Sequence, residues 1–164
     1  MKDVIRHSAN DKGEEEMSLD LEFRNATAAD WPAIETLLTT GGLPLDGARE
    51  HLDFFIVGVR GNAIRCVAGF ELYGGVALLR SVAVSDALRG KGAGALLLDA
   101  IRAKAQAEGV EVLYLLTTTA AAFFGKRGFQ QIERSSAPDV IKASREFQGV
   151  CPASATMMVA SIGR

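Results

Sequence analysis

The stretch richest in potential chemistry is "SDALRGKGAGALLLDAI", residues 85–101. Gly90, Gly92 and Gly94 alternate beside Arg89 and Lys91, and an apolar pattern of helical period begins at once. Glycines let the main chain approach an anion closely, and the first N–H groups of a helix have no acceptor of their own. The positive end of the helix dipole favours negative charge at the same place. Arg89, Gly90, Lys91, Gly92, Ala93, Gly94 and Ala95 are therefore the candidate phosphate-binding residues. A glycine-rich turn that merely opens a helix is the plainer alternative.

The kind of phosphate follows from spacing. A nucleotide P-loop needs Ser or Thr after Gly-Lys, but Gly92 follows Gly90-Lys91 and Arg127 follows Gly125-Lys126. The literal pattern Gly90-x-Gly92-x-x-Ala95 satisfies a relaxed dinucleotide fingerprint. That fold places its glycines directly after the strand, whereas Ser85 to Arg89 intervene here. Its next strand should end in an acid that holds the ribose, and "VEVLYLLT" ends in Thr117. The spacing disfavours a nicotinamide or flavin site.

The elements that must position this loop can be read along the chain. "LDLEFR" is a strand from Leu19, followed by a helix capped at Thr27 or Asp30, with Pro32 in its first turn. Ile34, Leu37 and Leu38 form that helix's apolar face, and Gly41-Gly42 stops it. "FFIVGVR" and "AIRCVAGFELY" make a hairpin across Gly61-Asn62, and "VALLRSVAV" is the next strand. A helix of about 15 residues then starts from the loop and ends at Gly109. "VEVLYLLT" reads as a central strand, "AAAFFGKRG" as a short helix, "FQQIERS" and "SATMMVAS" as strands, with a helix or turn at "PDVIKASREF". The expected architecture is α/β, an open mixed and mostly antiparallel sheet with helices on both faces.

Composition narrows the classes further. The chain has 164 residues, 48% of them hydrophobic, and a formal net charge of −2. That suits one domain over residues 18–164, with the polar residues 1–17 as a disordered tail and Met17 as an alternative start. No apolar run reaches the roughly 18 residues of a membrane-spanning helix, and the first residues lack a signal-peptide centre. A cytoplasmic protein without membrane or nucleic-acid partners is the expectation. Two cysteines and two histidines offer no recognised metal spacing, and no G-x-S-x-G elbow is present.

Arg89-Gly90-Lys91-Gly92-Ala93-Gly94, set between a strand and a long helix, resembles the R-x-x-G-x-G segment of the GNAT N-acetyltransferases. "FRNATAADWPAIETLL" is similar to that family's opening strand and helix, and "FFGKRGFQ" to its F-Y-x-x-x-G-F segment. More narrowly, "LLRSVAV", "LYLLTTTAAAFFGKRGF" and "PDVIKASREFQGVCPASATMM" resemble small acetyltransferases associated with arsenic resistance, relatives of enzymes acting on amino acids and phosphinothricin-like compounds. The resemblance implies the GNAT fold, acetyl-coenzyme A as co-substrate held through its pyrophosphate by the loop, and a small-molecule amine as acceptor. It implies direct attack of the amine on the thioester. It also points to backbone N–H groups at Val82, Ala83 and Val84, Val82 as oxyanion donor, with the pantetheine arm laid along them like a strand. A homodimer would suit such relatives.

The catalytic side chains are less legible. Alternation sets Arg80 beside Leu78, Val82 and Val84, where it could hold an anionic substrate group or pair structurally with a carboxylate. The strand glutamate that serves some members as base is replaced by Leu78, leaving Glu71 as a weak candidate read chiefly as surface. Phe124 stands where the family's general-acid tyrosine would be, so Phe123 and Phe124 are expected as a pocket wall or as core. Thr117 and Thr118 end the central strand, where they could meet substrate or pantetheine, or cap the next helix with Thr119. Arg134, Lys142 and Ser154 lie in a segment that could cover the substrate. Cys66 reads as core and Cys151 as packing rather than an arsenic ligand.

Overall fold

The computed structural model describes residues 5–7, 19–150 and 152–163, and these fall into two compact units. One comprises the chain up to Gly69 together with Ser81–Lys104; the other comprises Phe70–Arg80 and the chain from Ala105 onward.

In the first unit, β1 (Ile5–His7), β2 (Leu21–Asn25), β3 (Phe55–Arg60) and the start of β4 (Ala63–Tyr73) form an antiparallel meander. Within the expected disordered tail, Ile5–His7 thus pair as a strand with Leu21–Phe23. The other residues of that tail, Met17 among them, lie outside the described residues. The β3–β4 register shifts at Gly58/Val59. Added side chains at Gly58 and Gly69 would collide with the Cys66 thiol and the Phe55 ring, so both glycines are required by packing.

Helix α1 (Trp31–Thr40) begins where the sequence places it. Arg24 clasps both oxygens of Asp30 at 2.8 and 3.0 Å, and the Thr27 N–H donates to Asp30 Oδ2 at 2.7 Å. Pro32 fits the first turn, and the Gly41 N–H closes the other end on the Leu37 carbonyl. Trp31, Ile34 and Leu38 pack with Phe55, Val57, Val67 and Ala83. Burying side chains of this size contributes about 1.5–3 kcal/mol each. Helix α2 (Ala93–Ala107) starts from the glycine loop; Gly109, at φ +87°, follows its last turn, and the Val110 N–H returns to the Ala105 carbonyl.

In the second unit, the first part of β5 (Val76–Val84), up to Arg80, runs parallel to β6 (Val112–Thr117), which pairs antiparallel with β8 (Thr156–Ser161); β7 (Gln130–Ile132) lies beyond β8. The expected central position of "VEVLYLLT" is met, since β6 has a strand on each side. The short helices α3 (Ala121–Gly125) and α4 (Asp139–Lys142) complete the unit. Leu78, Ala137, Ile141 and Met157 form its apolar cluster, with Tyr73, Tyr114 and Phe147 packed against it.

Candidate active site

The phosphate loop is built by backbone conformation. Gly90 and Gly92 sit at φ +76° and +90°, values that a side chain disfavours. A Cβ at either would meet nothing within 4 Å, so the requirement is conformational and the space above the loop is open. The chain enters through a 3-10 turn at Asp86–Leu88, with Leu88 buried as its anchor. Among the described residues, the N–H groups of Gly90, Gly92, Ala93, Gly94 and Ala95 donate to no backbone carbonyl outside the helix, and helix α2 begins at Ala93. N–H groups without a main-chain acceptor at a helix start are the donor set that a pyrophosphate needs. Arg89 and Lys91 are exposed beside them; Arg89 makes a 3.2 Å surface contact with Asp86.

The strand before the loop departs from counting in twos. Ser81, buried, has φ +60°, outside extended backbone. Strict alternation does not carry across that residue, so Arg80 cannot be assigned to the face of Val82 and Val84, contrary to the sequence expectation. The described β5–β6 pairing runs from Val76↔Val112 to Leu79↔Leu115, while β5 itself continues to Val84. Ala83 faces the apolar cluster of its unit, and Val82 and Val84 are half-buried.

Arg80 lies in a buried polar cluster. Its Nη1 donates to Glu71 Oε2 at 2.6 Å, and its Nε lies 3.2 Å from Glu146 Oε2. The Tyr73 hydroxyl donates to the other Glu71 oxygen at 2.5 Å. The Arg80 side chain is fully buried, and Glu71 and Glu146 are nearly so. Arg80 therefore takes the structural pairing that the sequence left open. Glu71, expected at the surface, is buried, because a guanidinium and a phenol compensate its charge. Burial, then the hydrogen bond to Glu71, holds the Tyr73 phenol well above its ordinary range, so it stays protonated. Tyr73 and Glu146 escaped sequence reasoning. Tyr73 stands two residues from Glu71 on a strand, which alone would place them on one face; nothing local connects Glu146 to either.

The remaining candidates are dispersed. The Thr117 hydroxyl accepts the Ala120 N–H at 3.0 Å, capping the turn before α3, while Thr118 is exposed. Phe124 is buried, packed edge-on against Phe123 and Phe129 at centroid distances of 5.1 and 5.4 Å. Arg134 reaches the carbonyls of Ala155 and Phe147, Lys142 is half-buried, and Ser154 is exposed. Cys66 is buried in β4, and burial pushes its thiol up to about 12. Cys151 lies outside the described residues.

Comparison with known proteins agrees with this geometry. Residues 50–131 match the model of the acetyltransferase (GNAT) domain. The chain is 34% identical over 131 residues to an uncharacterized N-acetyltransferase of Chlorobaculum tepidum, covering 74% of this chain and 83% of that protein. It is 33% identical over 136 residues to the amino-acid acetyltransferase of Pasteurella multocida, covering 77% of this chain and 31% of that one. The fold is similar to N-acetylglutamate synthase from Neisseria gonorrhoeae, solved with coenzyme A and N-acetyl-glutamate, at TM-score 0.76 and 23% identity, over 88% of this chain and 35% of that one. The chain thus spans about a third of these two larger proteins. The loop, the strand it follows and the family match lead to one conclusion: the chain belongs to the GNAT acetyltransferase family, whose enzymes use acetyl-coenzyme A as co-substrate.

Proposed function

We propose that this protein transfers the acetyl group of acetyl-coenzyme A to the amine of a small, anionic amino acid or close analogue. The observation that carries the donor half is the loop of free N–H groups around Gly90 and Gly92 at the start of α2. The acceptor half is supported by the similarity to amino-acid acetyltransferases. Phosphinothricin-type compounds and arsenic-containing amino acids are included in the acceptor class, from the resemblance of "LLRSVAV" and its companion segments. We assign the enzyme to the cytoplasm and to a homodimer; among the described residues no helix is long and apolar enough to cross a membrane.

In this reading the co-substrate supplies an activated acyl group, and the chain's residues bind and orient. Arg89, Lys91 and the N–H groups of Gly90, Gly92, Ala93, Gly94 and Ala95 hold the pyrophosphate. The backbone of Val82, Ala83 and Val84 aligns the pantetheine arm, with the Val82 N–H donating to the carbonyl oxygen as negative charge develops on it. Phe124 has no ionisable group, so the thiolate takes its proton from water or another group, or leaves without a dedicated acid. Glu71 acts within the Arg80 cluster rather than as a free base, because both its oxygens are engaged.

The test is a thiol-release assay with acetyl-coenzyme A over acidic, neutral and basic amino acids, phosphinothricin-type compounds, polyamines and peptides. The proposal expects turnover with acidic amino acids or their analogues well above the rest. Turnover confined to polyamines or peptides would overturn the acceptor, and coenzyme binding without thiol release on any amine would overturn the enzyme.

A further inference from the structure

Ser81 holds φ +60° inside strand β5, a left-handed conformation that a serine leaves for extended backbone unless its surroundings oppose the change. Among the described residues Asp20 is the other non-glycine at positive φ, and it precedes β2 rather than lying within a strand. The torsions of Ser81 turn the peptide plane that follows it, and the N–H of that rigid plane is the N–H of Val82. Ser81 therefore aims the donor to which the proposed function assigns the acyl oxygen.

Both neighbours of this segment are held. On the C-terminal side, Ala83 is buried in the apolar cluster with Phe55, Val57 and Val67. On the N-terminal side stands Arg80, whose fully buried side chain meets carboxylates brought by two different elements. Its Nη1 donates to Glu71 Oε2 of β4 at 2.6 Å, and its Nε lies 3.2 Å from Glu146 Oε2. The Tyr73 hydroxyl, 2.5 Å from Glu71 Oε1, fixes the first carboxylate. The second is fixed by its own turn, Glu146–Val150, which Gln148 Nε2 ties to the Lys142 carbonyl at 2.6 Å and Phe147 packs into the apolar cluster. Relaxation of Ser81 has to move one of its neighbours. Moving Arg80 would draw a buried charge away from its partners, which is the costly state.

We propose that Arg80 is a positioning residue: anchored by Glu71 and Glu146, it keeps Ser81 left-handed and so keeps the Val82 N–H directed for the transfer step. This rests on Val82 as the oxyanion donor proposed above. It gives the buried cluster a part in turnover without asking any of its side chains to meet the acetyl group or the amine.

Arg80→Lys keeps the charge but lacks the planar fork that reaches both carboxylates. Its kcat should fall about ten-fold, with KM for acetyl-coenzyme A within about two-fold, because the misdirected donor acts on charge that develops in the transition state. Glycine takes positive φ without penalty, so adding Ser81→Gly to Arg80→Lys should return most of the lost turnover. A second readout does not depend on turnover. Acetyl-coenzyme A should shift the Val82 amide resonance in the unaltered protein, shift it less in Arg80→Lys, and shift it fully again in the double variant. Should Arg80→Lys fail to fold, Glu146→Gln alone and combined with Ser81→Gly carries the same comparison. An anchor serving stability alone would lower the melting temperature and leave both kcat per folded protein and the Val82 shift unchanged. A side chain in direct contact with substrate would lose turnover that Ser81→Gly does not return. Either result, or no shift at Val82 in the unaltered protein, overturns the proposal. Absence of thiol release from the unaltered protein on every amine would overturn the proposed activity instead, and the Val82 resonance then decides the role of Arg80.

Discussion

Arg89 and Gly92 belong to one loop but serve it differently. Arg89 is exposed and its contact with Asp86 is a surface pair, so its removal bears on ligand charge far more than on folding. Arg89→Ala should weaken coenzyme A binding about three- to ten-fold while leaving the melting temperature nearly unchanged, a shift of about 1 kcal/mol in binding. Gly92→Asp adds a left-handed penalty of about 1–2 kcal/mol and a negative charge facing the phosphates, so it should reduce both stability and affinity. Calorimetric titration of both variants beside thermal melts checks the pair; unchanged affinity in both would remove the phosphate assignment. The loop residues were legible because their demand is local: glycine supplies the backbone angles and the following helix supplies the free donors. Arg80 was only half legible. Its charge marked it for a carboxylate partner, but which carboxylate depended on Glu71 and Glu146 arriving from other segments.

At the level of elements, strand and helix boundaries follow from short-range signals, and the start of α1 shows how. Thr27, Asp30 and Pro32 define the cap within six residues, and Arg24 reinforces it from β2. The hydrogen bonds from Arg24 hold the Asp30 carboxyl below the usual carboxylate range. A carboxyl lowered in the folded state contributes stability that is complete above its unfolded value, about 4, and is lost as pH falls below that toward the folded value. Asp30→Asn should therefore destabilise the protein by about 1 kcal/mol at neutral pH, with the deficit narrowing toward about pH 3. Denaturant titrations at the two pH values measure this, and a deficit constant with pH would assign the effect to packing instead. The conformation at Ser81 was not legible. Serine has no preference that announces φ +60°, and only the course of the surrounding strand imposes it.

For the whole molecule, the question is how the acyl group travels. Cys66, the cysteine among the described residues, is buried with its thiol pushed up to about 12, so it holds almost no thiolate at neutral pH and cannot serve as a relay. Direct transfer, as proposed above, requires both substrates bound together. Initial-rate measurements should give intersecting rather than parallel double-reciprocal lines, and Cys66→Ala should retain turnover within about two-fold while losing about 1 kcal/mol of stability to the vacated space beside Gly58. Parallel lines, abolished by Cys66→Ala, would contradict direct transfer.

The amino-acid sequence by itself determined the succession of strands and helices, the glycine loop, the cap of α1 and the family. Each of these is encoded by neighbours in the chain: apolar period, capping residues, and glycines at positions of positive φ. Only the tertiary structure decided that Glu71 is buried, that Arg80 is shared between Glu71 and Glu146, and that Thr117 spends its hydroxyl on a turn. The physical reason is that a charge can be buried only where other segments bring compensation to it, and those meetings are set by strand pairing and packing rather than by any local pattern.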